Sequence, residues 1–221
     1  MLHGFLSKKE CFLKQITFFS RFFKVVAIDM TGFGEAENQK YPYCVDDYVR
    51  EVKRVVDELG VEKYSVIAHS FGARVALKLA VKDSRINRIV FTGAAGLKPK
   101  RGVEYLFKRA SFLLLKRLVP KEKLAWCYAR DYRDLSPVMK ESFKMIVSEN
   151  LDEYAKKIKV KTLIISGRKD KETPPCSQKK LHRLIEWSEL AFIDGGHFCF
   201  LDNPNDFNFK VFSFLTASQG V

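Results

Sequence analysis

No stretch of this 221-residue chain comes near the roughly 18 uninterrupted apolar residues that a membrane-crossing helix needs. A secretory leader is not legible either: a very short apolar start, Met1 to Phe5, precedes the charges of Lys8, Lys9 and Glu10, the reverse of the order in a signal peptide. Cysteine is sparse. Five residues (Cys11, Cys44, Cys127, Cys176 and Cys199), an odd number without a C-x-x-C pair, argue against both a disulfide framework and a zinc site. The expectation is reduced thiols in a cytoplasmic protein. Acidic residues are outnumbered, 26 against 39 Lys and Arg, for a net charge of +13. No recognised binding motif accompanies that excess, so nucleic acid is not an expected partner. What is present is an ordinary globular share of apolar residues, 47%, too much for a disordered chain and enough for one domain with an insertion.

Short β-rich runs alternate with helical patterns, which predicts a mostly parallel sheet with helices on both faces. Lys24 to Asp29 reads as a buried strand entering the turn Thr31-Gly32-Phe33-Gly34. From Asp46 to Leu59, apolar residues at Val49, Val52, Val55, Val56 and Leu59 mark one helix face, and Gly60 sits at the C-cap position. A strand over Tyr64 to Ala68 precedes a helix from Phe71 to Val81; further strands are predicted at Ile86–Thr92, Thr162–Ser166 and Leu190–Ile193, with a closing helix from Pro204 to Leu215. Between 97 and 160 the rhythm breaks into aromatic-rich helical patterning with no strand. That stretch is predicted to be a helical cap over one end of the sheet, giving a core of 1–96 and 161–221 and a cap of 97–160 that shapes a pocket.

Ala68-His69-Ser70-Phe71-Gly72 lies where a predicted strand turns directly into a helix. A serine there is held on a tight turn with its hydroxyl exposed, and the Phe71 N–H opens the helix toward developing negative charge. A serine nucleophile needs a base, and the base an orienting acid. Asp170 follows the strand ending at Ser166, in the loop Gly167-Arg168-Lys169-Asp170-Lys171-Glu172-Thr173-Pro174, and His197 follows the next strand in the run Asp194-Gly195-Gly196-His197. Ser70, Asp170 and His197 thus stand in the order Ser…Asp…His. Asp194, three residues before His197, is the rival acid. Asp29 reads as a turn-former, and His3, His69 and His182 as structural residues.

On these motifs, together with His3-Gly4-Phe5 and Asp29 to Gly34, the chain resembles the α/β-hydrolase fold superfamily over almost its whole length. The resemblance implies an α/β-hydrolase fold in which Ser70 is the nucleophile, His197 the general base and then acid, and Asp170 the residue that orients it. Backbone N–H groups of Phe5 and Phe71 would form the oxyanion hole. Some members take the acid from the loop before the cap; here that loop is Gly93-Ala94-Ala95-Gly96, which has no carboxylate. Two departures stand out. Ala68 replaces the first elbow glycine, and the chain begins at the His-Gly element, which in the family follows a strand in the middle of the sheet. The first strands are therefore expected to be missing, roughly 25 residues' worth, with unpaired backbone beside the strands that remain, as in an N-terminally truncated product.

The resemblance implies a hydrolase acting on a small, partly apolar molecule. A serine at the elbow argues against haloalkane dehalogenase and epoxide hydrolase chemistry, which place an aspartate there. Ester or related acyl cleavage through an acyl-enzyme on Ser70 is the first expectation. The alternatives are a carbon–carbon bond hydrolase, a lyase-like relative, or an inactive fragment. No metal or organic cofactor is implied. The cap carries +8 of the net charge, which suits steering of an anionic substrate. A solvated lysine-rich face is the plainer account, and membrane-surface contact through Val103 to Val119 is a weaker one.

Overall fold

The computed structural model describes residues 1–98 and 134–217. Four runs of aliphatic and β-branched residues, β1 (Tyr64–His69), β2 (Ile86–Thr92), β3 (Lys161–Gly167) and β4 (Ser188–Ile193), form a parallel sheet in the order β1-β2-β3-β4. Successive strand residues face opposite sides, and both sides are buried. Val66, Ala68, Ile89, Phe91 and Ile164 point into one core with the helices α2 (Val45–Glu58) and α3 (Phe71–Lys82). Ile67, Val90, Leu163, Ile165 and Ile193 point into a second core. That core is closed by α1 (Leu13–Phe19) and, in the C-terminal part of the chain, by α7 (Cys199–Asp202) and α8 (Pro204–Thr216). The expected α/β sandwich is therefore present.

One predicted strand is not. Between Lys24 and Asp29 only Ile28 makes a β-bridge, to Leu2, which bridges Ala68 of β1 on its other side, both parallel. A strand needs a partner along its length to satisfy its backbone groups, and Met1 and Leu2 supply just two residues of one. Of the expected cap, residues 134–160 contain α4 (Pro137–Ser148) and α5 (Asp152–Lys156) and no strand; residues 99–133, with the Val103 to Val119 segment, lie outside the described residues. Among the described residues no helix is long and apolar enough to cross a membrane. Between β3 and β4, α6 (Pro175–Leu184) begins on the prolines that the sequence places there.

Where the insertion returns to the core it is fastened to α3. Arg74 donates to the carbonyls of Ile146 at 2.7 Å and Glu149 at 3.0 Å, and the buried Lys78 ammonium pairs with Asp46 at 2.6 Å and with Glu149. At the other end of α3 its C-cap, Asp83, accepts from the Arg85 N–H at 3.0 Å, from the Arg85 guanidinium at 2.7 Å and from the Tyr64 hydroxyl at 3.1 Å.

Those donors, Arg85 first, hold the Asp83 carboxyl down to about 2 against the opposing effect of its burial. A depressed carboxylate stabilises the fold above its unfolded value of about 3.9, and that contribution is lost as pH falls toward the folded value. Asp83→Asn should therefore cost about 2 kcal/mol at pH 7, measured by urea unfolding. The gap between variant and parent should close as the pH is lowered from 4 to 2; a pH-independent gap would contradict this account.

Candidate active site

Ser70 sits between β1 and α3 with φ 50° and ψ −108°, a backbone conformation that costs a non-glycine residue roughly 1–3 kcal/mol. Three backbone bonds hold it there: its N–H donates to Thr92 at 3.1 Å, and its carbonyl accepts from Ala73 at 3.1 Å and from Ala95 at 3.3 Å. Gly72 explains the smallness of the next-but-one residue. A Cβ there would overlap the carbonyl of Leu2, so α3 can start this close to the N-terminal segment only with glycine.

The His3–Phe5 loop packs against the same turn. Met30 N–H donates to His3 Nε2 at 3.1 Å, which makes the other ring nitrogen the protonated one, and Nδ1 then donates to the Gly4 carbonyl at 2.7 Å. Burial lowers the affinity of His3 for a second proton, consistent with this neutral tautomer. The Phe5 ring meets Phe71 edge to face, with centroids 5.7 Å apart. Both residues expected to frame an oxyanion hole thus lie beside Ser70.

Asp170 and His197 are brought together by the ends of β3 and β4. Gly167 lets them approach, because a Cβ there would overlap the Gly196 carbonyl. His197 Nδ1 lies 3.0 Å from Asp170 Oδ2. Asp170 also accepts from the N–H groups of Glu172 and Thr173, each at 2.9 Å, and from the Thr173 hydroxyl at 2.8 Å. Burial would raise the Asp170 carboxyl, but the bonds from His197 and Thr173 outweigh it and leave the group below its ordinary value. It is ionised at neutral pH. The rival acid, Asp194, is exposed and faces Arg168 at 3.8 Å. Asp29 accepts from the Lys9 and Glu35 N–H groups and from the Lys9 ammonium. That ammonium also pairs with Glu35, so the acidic group Glu10, Asp29 and Glu35 already encloses a cation of the protein's own.

A match to the family model described as alpha/beta hydrolase fold runs over residues 1–204. The chain belongs to that family. It is 25% identical, over 93% of its length and 78% of the relative's, to a 2-hydroxy-6-oxo-6-(2'-aminophenyl)hexa-2,4-dienoic acid hydrolase of Metapseudomonas resinovorans. A meta-cleavage product hydrolase from Pseudomonas fluorescens superposes with a TM-score of 0.73 at 25% identity, covering 97% of this chain and 88% of that one. An esterase from Exiguobacterium antarcticum superposes at 0.77 with 22% identity over 98% and 91% of the two chains, a likeness of fold. At this level the protein is an α/β-fold hydrolase.

Three contributors to the site were not singled out from the sequence. Thr173 is one, through its hydroxyl on Asp170. His69 is another, although the elbow motif contains it: its Nε2 lies 3.1 Å from the His197 carbonyl. Burial, reinforced by the nearby His197 charge, pushes His69 down to about 3, so it is a neutral donor that pins the histidine loop. The third is Glu172, whose Oε2 lies 3.3 Å from His197 Nε2 while the Ser70 hydroxyl makes no hydrogen bond among the described residues. The only signal for it was its place two residues after Asp170 in a loop already assigned to the site.

When His197 is protonated, Glu172 pairs with its Nε2 as an ion, and that nitrogen is then withheld from Ser70. An exposed ion pair contributes roughly 0.2–1 kcal/mol, a factor of about 1.4–5 in occupancy. Glu172→Gln should raise the rate of Ser70 labelling by a fluorophosphonate by about that factor, read from intact-protein mass against time. Slower labelling would show instead that Glu172 assists the histidine.

Proposed function

We propose that this hydrolase cleaves a carbon–carbon bond beside a ketone, in a small anionic vinylogous diketone of the 2-hydroxy-6-oxodienoate kind. The observation that carries the reading is the Ser70 turn beside the Asp170–His197 pair, in a chain that aligns over nearly its full length with hydrolases of such compounds. Further relatives named for 2-hydroxy-6-oxo-2,4-heptadienoate and 2-hydroxymuconate semialdehyde match over 90% of the chain at 24% and 26% identity. The net +8 of residues 97–160 suits a carboxylated substrate.

In this reading Ser70 Oγ attacks the ketone carbon while His197 Nε2 takes its proton, once Glu172 has swung aside. The Asp170 carboxylate holds the Nδ1 proton and stabilises the imidazolium. The N–H groups of Phe71 and Phe5 receive the oxyanion. When the tetrahedral adduct collapses, the carbon–carbon bond breaks, and its electron pair leaves as a conjugated enolate that takes up a proton, leaving an acyl group on Ser70. Water, deprotonated by His197, then attacks that acyl group; a carboxylic acid departs and the serine is restored. An ester or lactone would follow the same path with an alkoxide as leaving group, which is the second reading, favoured by the same turn and pair.

The purified protein should bleach the visible absorbance of a 2-hydroxy-6-oxo-6-phenylhexa-2,4-dienoate with a kcat/KM well above that for p-nitrophenyl butyrate. Ser70→Ala should lose at least about 10³-fold in kcat. Turnover of the ester alone would transfer the assignment to the second reading. Inertness toward both, with no fluorophosphonate labelling of Ser70, would overturn the serine-hydrolase mechanism.

A further inference from the structure

The helix α4 lays one face on the segments around the Phe5 loop. Met139, Ser142, Phe143 and Ile146, spaced three and four apart, form a single stripe along it. Met139 Sδ sits against Gly32, where an added Cβ would lie 2.9 Å from it. The Ser142 hydroxyl is buried; it accepts from the Tyr43 N–H at 2.9 Å and donates to the Gln39 amide oxygen at 2.6 Å. At the end of the stripe the Ile146 carbonyl accepts from Arg74. Hydrogen bonds are directional, so these partners fix the rotation of α4 about its axis as well as its position. That rotation puts the Phe143 ring on the Phe5 ring, with centroids 5.0 Å apart.

Phe5 sits in a turn that depends on such contacts. Its ring meets Phe33 at 5.0 Å, Phe71 at 5.7 Å and Phe143, one ring from each of three segments. Its main chain belongs to the tight turn Gly4 to Ser7, closed by the Ser7 N–H on the Gly4 carbonyl at 3.2 Å. The next residue, Leu6, has φ 58° and an exposed side chain. A left-handed leucine persists only where its surroundings hold it, and a side chain in solvent does little of that holding. The Gly4 carbonyl also accepts from His3 Nδ1 at 2.7 Å. Because the peptide group is planar and trans, fixing that carbonyl aims the Phe5 N–H the opposite way. The Phe5 N–H makes no hydrogen bond among the described residues. His3 thus sets the direction of this donor, and the three rings set its place.

We infer that Phe143 is a positioning residue for the oxyanion hole: acting through the Phe5 ring, it lets α4 of the insertion set where the Phe5 N–H meets the developing negative oxygen. This inference rests on the proposed attack by Ser70, in which the Phe5 and Phe71 N–H groups receive that oxygen. Phe33 and Phe71 are nearly fully buried, and Phe33 also meets His3, Tyr48 and Phe71, so both are tied into the core around the site. Phe143 is half-buried and comes from the insertion. Its ring is therefore the one through which the insertion reaches the donor, and the hole is complete only while α4 is seated. A donor displaced from the oxyanion loses its effect steeply, because the stabilisation depends on preorganised distance and angle.

The test compares Phe143→Ala, Phe143→Leu and Met139→Ala with the parent chain. Ser70 is labelled with a fluorophosphonate and, separately, with its P=S analogue, whose sulfur is too large and too weak an acceptor for the two N–H groups. Phe143→Ala should slow labelling by the P=O reagent at least about tenfold and lower the P=O to P=S ratio of rates at least about fivefold. Phe143→Leu, which restores apolar contact with Phe5, should recover most of both. Met139→Ala thins the same stripe one turn earlier and should leave the ratio within about twofold of the parent's. Amide hydrogen exchange at Ser7 reports closure of the Gly4 to Ser7 turn without any chemistry at Ser70; it should quicken at least about fivefold in Phe143→Ala and return in Phe143→Leu. An unchanged ratio or unchanged Ser7 exchange in Phe143→Ala would overturn the inference. So would an equal loss in Met139→Ala, which would mark a general loosening of the insertion. A parent chain that the fluorophosphonate fails to label would overturn the serine reading and this inference together, whereas a labelled parent with an indifferent Phe143→Ala would overturn the inference alone.

Discussion

The geometry around Ser70 depends on one residue at the other end of the sequence. Leu2 accepts from His69 and donates to Ile67, one and three residues before the serine, and bridges Ile28 on its far side. Its carbonyl is also the surface on which Gly72 packs. A strained φ at Ser70 persists only if its surroundings over-determine it, and Leu2 supplies part of that over-determination. It is almost wholly buried, at 2% exposure. The His3–Phe5 loop begins immediately after it, so the same residue fixes both the serine turn and the place from which Phe5 approaches.

Electrostatic order around the histidine follows from which neighbours are left neutral. His69, whose ring centroid lies 4.7 Å from that of His197, is buried and depressed, so it adds no positive charge there; His3, in the loop against the same turn, is buried and depressed likewise. Two carboxylates meet the His197 imidazole. Asp170 is rigid, with four donors converging on it, and binds the Nδ1 edge. Glu172 is exposed by comparison, and lies on the Nε2 edge. A buried carboxylate on one edge and an exposed one on the other is an arrangement that suits a base: a tautomer fixed toward Asp170, and a second nitrogen whose neighbour is in solvent.

Much of this was legible before any coordinates. The serine turn announced itself because a strand pattern ran without a gap into a helical one across Ala68-His69-Ser70-Phe71-Gly72, a junction that only a tight turn can make. Asp170 and His197 could be placed because each follows a short apolar run that can only be a strand, and parallel strands put their following loops at the same sheet edge. The failure at Lys24–Asp29 has the opposite cause. Its composition is that of a strand, but a strand is a relation between two segments, and composition is silent on whether the partner is long enough. Glu172 and Thr173 were hidden for a third reason: their roles depend on side-chain direction inside a loop, where no period exists to predict it. The ester expectation went beyond what the Ser…Asp…His order can carry, since that constellation attacks a carbonyl whatever the leaving group. The dienoate hydrolases among the relatives shift the balance to carbon–carbon cleavage.

The helix that presents Ser70 also holds the insertion. Ser70, Arg74, Lys78 and Lys82 are spaced by four, so they form one stripe along α3 and its N-terminal cap. Arg74 and Lys78 grip the chain at Ile146 and Glu149, and Lys82 shares Asp46 with Lys78. Lys78 is 2% exposed while its two acidic partners are about a third exposed. The positive member is thus the one that paid desolvation, and removing both anions would strand it. A side chain retained under that penalty is poorly explained by stability alone, because an apolar residue could fill the same volume at less cost. It is better explained by register: the ammonium pairs with carboxylates brought from α2 and from the end of α4, and so fixes where the returning insertion meets the helix that Ser70 caps. The end of α4 and the Ser70 turn are then referred to a single helix, with Ser70 and Lys78 separated by about two turns of α3.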